Sequence, residues 1–192
     1  MPKIFSEEEK KLLREKLLQY GIHELEHRRY RNISVDEVTD GVGIAKGTFY
    51  HFFASKESYF YEIMQLIKTR NRKKLVGLLE RDHLSKEDVA GCLYERYTET
   101  KTVYDYFTPE EMRIIVRKLE NGDEENDSAQ FAADIIKKVT GKTDVEKAGT
   151  VVAFCNMLAL AESNRDLYGN REYQNAIRVF SDAVADYIFR EE

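Results

Sequence analysis

Two cysteines, Cys92 and Cys155, are too few for a disulfide framework. This excludes a disulfide-stapled secreted scaffold and makes a reducing compartment the default. Two prolines and ten glycines leave few helix breakers and exclude a collagenous chain. No run approaches the ~18 continuous apolar residues of a membrane span, so no membrane partner is expected. The opening residues turn acidic at Glu7-Glu8-Glu9, where a signal peptide would carry an apolar core, so a cytoplasmic protein is expected. What is present is a chain of 192 residues, 42% hydrophobic and 34% charged. That suits one folded helical domain, or two small ones sharing a core.

The formal net charge of -5 does not exclude a nucleic-acid partner, because local charge decides contact. Residues 1–56 carry ten Lys or Arg against nine Asp or Glu, so the acidic excess lies in the remainder. Arg28, Arg29 and Arg31 are clustered, and Lys46 and Lys56 follow. A second basic run, Lys68, Arg70, Arg72, Lys73 and Lys74, has the character of a solvated helix face.

Helix start signals are frequent. Ser6 with Glu9, Ser34 with Glu37, and Thr143 with Glu146 have the capping-box spacing, in which each side chain satisfies an orphan N–H near the other. Asp127 with Gln130 is a weaker pair, Thr108 precedes proline at a first helical position, and Ser55, Ser85 and Asn170 are further N-cap candidates. No period-2 segment competes, so the fold class is all-α with about nine helices. They are expected over Ser6–His27, Val35–Gly41, Ala45–Phe52, Lys56 into the 70s, 86–103, 109–121, 128–140, 144–167 and 171–189. Asn121–Asn126 has the composition of a surface loop.

Val35, Val38 and Val42 share one face of a short helix, and Gly43 permits the positive φ that ends it. After Ile44, the residues Ala45, Thr48, Phe49 and Phe52 recur as the buried stripe of a second short helix. Two such helices joined at a glycine turn describe a helix-turn-helix. The outward face of the second holds Lys46, Gly47, Tyr50 and His51. A mid-helix glycine costs about 0.5–1 kcal/mol relative to alanine, and close approach of a DNA groove is a reason to keep one. Lys46 and His51 can donate to phosphates or base edges, and the Tyr50 hydroxyl suits a phosphate oxygen.

The segment Ser34–Glu57, with Gly43, the string Lys46-Gly47-Thr48-Phe49-Tyr50-His51-Phe52-Phe53 and then Ser55-Lys56-Glu57, resembles the DNA-binding signature of the tetracycline-repressor (TetR) family of bacterial transcriptional regulators. The resemblance covers the first third of the chain by motif. It implies an N-terminal three-helix DNA-binding domain over residues 1–56. A linking fourth helix then leads into a ligand-sensing and dimerisation domain over 57–192. Positions matching Lys46, Tyr50, His51 and Lys56 commonly meet DNA in that family. The expected DNA face is Ser34, Ala45, Lys46, Gly47, Thr48, Tyr50, His51 and Lys56, with Arg28, Arg29 and Arg31 as phosphate contacts on charge alone. Four positions depart from the family pattern: Arg29 replaces a usual glycine, Thr39 a usual alanine, and Gly21 and Glu24 a usual alanine and leucine.

His23-Glu24-Leu25-Glu26-His27 matches the H-E-x-x-H pattern, which makes a zinc hydrolase the competing function. A third ligand at the expected spacing is missing from the sequence, so no enzyme, resident metal or cofactor is expected. A helical scaffold without DNA binding is the third alternative. Cys92 and Cys155 are expected as core rather than as a redox sensor.

Aromatic and soft residues in the C-terminal body, Tyr94, Tyr97, Tyr104, Phe107, Met112, Phe131, Phe154 and Met157, with Tyr97, Arg113 and Asn156 as polar anchors, suit a pocket for a small apolar or aromatic effector and equally an ordinary helical core. The seven residues expected around the effector are Tyr94, Tyr97, Tyr104, Phe107, Met112, Phe131 and Asn156. A homodimer is expected through the last two helices. Two stripes, Val151, Phe154, Cys155, Leu158, Glu162 and Tyr173, Ile177, Phe180, Val184, Tyr187, would either form that interface or close the monomer core. The expected whole is a ligand-responsive regulator, a repressor, dimeric on a palindromic operator in double-stranded DNA.

Overall fold

The computed structural model describes residues 6–119 and 127–190. The loop expected over Asn121–Asn126 lies outside them, as do the side chains of Asp127, Arg72 and Lys74. The described chain is all-helical. Its helices are α1 (Glu7–Leu25), α2 (Val35–Val42), α3 (Lys46–Phe52), α4 (Lys56–Leu79), α5 (Lys86–Thr98), the single-turn α6 (Val103–Tyr106), α7 (Pro109–Arg117), α8 (Asp127–Thr140), α9 (Val145–Glu162) and α10 (Asn170–Phe189). Short 3-10 turns cover Tyr30–Asn32 and Arg165–Leu167.

Capping explains most of the boundaries. Ser6/Glu9, Ser34/Glu37, Ser85/Asp88 and Thr108/Glu111 all form reciprocal boxes. A cap of this kind is worth about 1 kcal/mol. Ser55 accepts the Ser58 N–H at 3.0 Å at the head of α4.

Two expected caps are different. Asp144, rather than Thr143, accepts the Lys147 N–H at 2.8 Å, which starts α9 one residue later. Gly169, not Asn170, is the N-cap of α10, and Asn170 is already helical.

Three helices are also shorter than expected, among them 109–121, which ends at Arg117. The 86–103 helix ends at Thr98, where the Glu99 and Thr100 amides both turn back to the Glu95 carbonyl. The 144–167 helix ends at Glu162, because the Ser163 and Asn164 side chains bond the Leu160 carbonyl, each at 2.8 Å, and compete with the backbone ladder.

The chain forms two compact units, Met1–Lys68 with Asp105–Gly122, and Thr69–Tyr104 with Asp123–Glu192. The start of α4 and all of α7 therefore belong with the N-terminal helices, whereas the sequence division was 1–56 and 57–192.

In the first unit, the second half of α1 is buried through Leu17, Leu18, Ile22 and Leu25. A chain of edge-to-face rings links the helices: Phe49–Tyr59 at 5.2 Å, Tyr59–Phe60 at 4.9 Å, Tyr30–Phe60 at 5.1 Å and Phe60–Phe107 at 6.2 Å. Gly21 is required here. A Cβ on it would lie 2.2 Å from the Tyr59 hydroxyl, which donates to the Leu17 carbonyl at 2.6 Å. That accounts for the glycine departure in α1. Arg29 has φ -76 and ψ 148, so the chain leaves α1 without the left-handed residue that would demand glycine. Thr39 is buried, with its hydroxyl donating to the Asp36 carbonyl at 2.9 Å, so its polar atom is satisfied where alanine would need no partner.

In the second unit, α10 packs on α5, α8 and α9. One core cluster centres on Ile135, Ile136, Val151, Ala185 and Ile188, and another on Tyr97, Leu158, Tyr173 and Ile177. The two stripes proposed as a dimer interface are therefore corrected: Val151, Leu158, Glu162, Tyr173, Ile177 and Val184 are buried within the chain itself. The apolar surface of α9 and α10 is a different set, with Met157, Leu160 and Val179 exposed at 60%, 62% and 70%. The stripes were read at the right period but on the inward face.

Candidate nucleic-acid interface

Helix α2 is held at both ends. Ser34 accepts the Glu37 N–H at 3.2 Å and donates its own O–H to the Glu37 carboxylate at 2.8 Å. At the other end Gly43 adopts φ 79 and ψ 43, the left-handed conformation the turn requires, and the Ile44 N–H reaches the Thr39 carbonyl at 2.9 Å. Lys16 adds a cation there, donating to the Val42 carbonyl at 2.9 Å, where the helix dipole favours positive charge.

Helix α3 follows at once. Phe49 is its fully buried anchor, while Thr48 and Phe52 are half-buried. Ala45, expected in the buried stripe, is exposed and serves as the N-cap residue. Phe53, just past the helix, is buried in its place.

The outward face of α3 is as expected: Lys46, Gly47, Tyr50 and His51 are all exposed. A Cβ placed on Gly47 would meet nothing within 4 Å, so nothing inside the chain requires a glycine there. The Lys46 amine pairs with Asp36 at 2.8 Å, which raises its pKa through that hydrogen bond. The pair is exposed, so solvent screens it and it separates readily. Sequence spacing gives no hint of this pair, because Asp36 lies on the neighbouring helix.

The remaining expected residues divide. Ser34 is engaged in capping, and Ala45 and Thr48 flank the exposed face. Lys56 is half-buried with its ammonium over the Tyr30 ring at 4.5 Å, and burial lowers its pKa. Of the arginines, Arg28 bridges Glu24 and Glu37, the latter at 2.7 Å. Arg31 pairs with Glu110 of α7 at 3.0 Å. Arg29 is exposed and makes no ion pair among the described residues. Glu37 is held down to a pKa of about 2, first by Arg28 and then by the Ser34 amide and hydroxyl.

The seven residues expected around an effector are divided between the two units. Phe107 and Met112 lie in the first unit, Phe107 buried against Phe60. Tyr97 is core in the second unit, with its hydroxyl donating to the Cys155 carbonyl at 3.2 Å, while Asn156 is exposed. Tyr94, Tyr104 and Phe131 are half-buried, as are Cys92 and Cys155, and Arg113 is exposed. A half-open groove of about 320 Å³ in the second unit is lined by Phe154, Phe180, Ala183, Val184, Asp186, Tyr187 and Arg190. None of the seven lines it. No helix among the described residues is long and apolar enough to cross a membrane.

Residues 17–63, which hold α2, α3, the Gly43 turn and the exposed α3 face, match the model of the bacterial regulatory proteins of the tetR family. Over these residues the chain is similar to the tetR family. Two curated proteins of Bacillus subtilis (strain 168) are similar to the chain. The uncharacterized HTH-type transcriptional regulator YdgC is 32% identical over 77 residues, 40% of this chain and 40% of its own length. The uncharacterized HTH-type transcriptional regulator YwcC is 25% identical over 95 residues, 48% of this chain and 41% of its own. The chain thus matches about two-fifths of the length of each relative. The tetR-family match spans α2 and α3 whole, together with the end of α1 and the start of α4.

Proposed function

We propose that the chain is a cytoplasmic, ligand-responsive transcriptional regulator, a repressor, that binds a palindromic operator as a homodimer through α3. The observation that carries this is the exposed face of α3, where Lys46, Tyr50 and His51 surround a glycine that no contact within the chain requires. Such a surface admits the edge of a DNA groove against backbone, with the side chains placed for phosphates and base edges. Arg29 is the best-placed phosphate contact among the three arginines, because Arg28 and Arg31 already hold carboxylates. Both relatives are named as HTH-type transcriptional regulators, which supports the same function here.

Dimerisation is supported by the exposed apolar face of α9 and α10, where Gly149, Ala153, Met157 and Leu160 share one face at helical spacing and Ala176, Val179 and Ala183 another. A two-fold dimer would present α3 and its symmetry mate to half-sites about 34 Å apart. The groove beside Phe154 and Phe180 has room for a small apolar effector. Helix α4, which begins in the first unit and continues into the second, is the proposed coupling element. A tenfold loss of operator affinity needs about 1.4 kcal/mol of coupling free energy. The test is a gel shift of the DNA upstream of the chain's own gene against excess unrelated DNA. A discrete complex that survives the competitor is expected, and equal displacement by any DNA would contradict an operator-specific regulator.

A further inference from the structure

We propose that the last turn of α1 binds one divalent transition-metal ion through the imidazoles of His23 and His27 and the carboxylate of Glu26. The i, i+4 spacing places the two imidazoles on one face, one turn apart, and their ring centroids are 5.0 Å apart. His27 lies just beyond α1, in a turn where its N–H donates to the Glu24 carbonyl, three residues back, at 3.1 Å. One ligand atom from each of the three residues falls within 4.8 Å of the others, and His23 Nδ1 is 3.9 Å from Glu26 Oε2. Around a tetrahedral ion with bonds of about 2.0–2.2 Å, neighbouring ligand atoms lie about 3.3 Å apart. All three residues are exposed, so side-chain rotation alone can supply the contraction. The site also sits at the C-terminal end of a helix, where the helix dipole favours a cation.

The donor set names the metal class. Two imidazoles and a carboxylate suit Zn²⁺, Ni²⁺ or Cu²⁺, whereas Mg²⁺ and Ca²⁺ prefer all-oxygen shells. It also separates this site from the hydrolase that the H-E-x-x-H pattern suggests. Glu24, which would have to be the general base, is half-buried and engaged by Arg28. The ion would act instead as a clip between α1 and the turn carrying Arg28 and Arg29, and its binding is independent of the DNA-binding proposal.

Isothermal titration of the untagged full chain with ZnCl₂, NiCl₂, CuCl₂ and MgCl₂ tests this. One ion per chain is expected, with Cu²⁺ bound most tightly and no Mg²⁺ binding. His23→Gln and His27→Gln should each weaken binding by at least about tenfold, as loss of even an outer-shell partner commonly does. His51→Gln and His83→Gln should leave it unchanged. Circular dichroism of each metal-free variant should match the parent, since the changed side chains are solvent-exposed. Electron paramagnetic resonance of the Cu²⁺ complex should show coupling to imidazole nitrogen that His23→Gln/His27→Gln abolishes. Unchanged affinity in that double variant, or no heat with any of the three transition metals, would overturn the site.

Discussion

Under the proposed function, glycine at position 47 sets helix stability against DNA binding. Because a Cβ there meets nothing, Gly47→Ala should raise stability by about 0.5–1 kcal/mol, as it does in an exposed helix interior, while weakening operator binding. Thermal unfolding and DNA titration of the same variant check both signs together. Glu37 makes a separate, pH-dependent prediction. Its folded pKa of about 2 lies below the unfolded value, so its contribution is present above the ordinary carboxylate range near 4.5 and is lost as pH falls towards 2. Glu37→Gln should therefore flatten the acid limb of a stability–pH curve between about pH 5 and pH 2, and leave the curve's shape above pH 6 unchanged. A variant whose acid limb matches the parent would show that the Arg28 and Ser34 interactions contribute nothing. These residue roles were unequally visible in sequence. Gly43 and the Ser34/Glu37 box could be read because both act over a few positions. The Lys46–Asp36 pair and the engagement of Arg28 could not, because they join separate elements.

At the scale of elements, the joint between α1 and α4 depends on a missing side chain. The Tyr59 ring enters the space over Gly21, and its hydroxyl bonds the Leu17 carbonyl. Gly21→Ala should be destabilising by about 1–3 kcal/mol through overpacking, even though alanine is the better helix former. Tyr59→Phe in the same chain should recover part of that loss, so chemical denaturation of the four-member cycle should be non-additive. Additive losses would mean that the two side chains do not meet. The helix boundaries were legible from capping signals, since a serine and a glutamate three residues apart fix a helix start locally. The ends of α5 and α9 were not, because the apolar period runs on past the point where Glu95 and Leu160 carbonyls capture the chain.

At the scale of the whole molecule, the C-terminal helices show how far periodicity reaches. It found the apolar stripes of α9 and α10, and it could not say whether another helix of the same chain or a second copy covers them. The buried stripe closes the core, the set around Met157, Leu160 and Val179 is exposed, and in the proposed dimer a partner copy covers it. Sedimentation at micromolar concentration should therefore give a dimer. Met157→Asp with Val179→Asp should give a folded monomer, because neither side chain belongs to the core. A parent chain that sediments as a monomer would contradict dimerisation through this face.

The central claim, that the glycine-bearing face of α3 reads DNA, is tested most directly by operator titration of Gly47→Leu over a range of salt concentrations. Leucine at an open, exposed position should leave the fold intact and hold the helix off the groove. The account predicts that the parent binds with a steep inverse salt dependence, and that the variant loses operator-specific affinity by about 100-fold or more, a reasonable fraction of the usual gap between specific and non-specific binding. A folded Gly47→Leu protein that binds the operator with the parent's affinity and salt slope would contradict it.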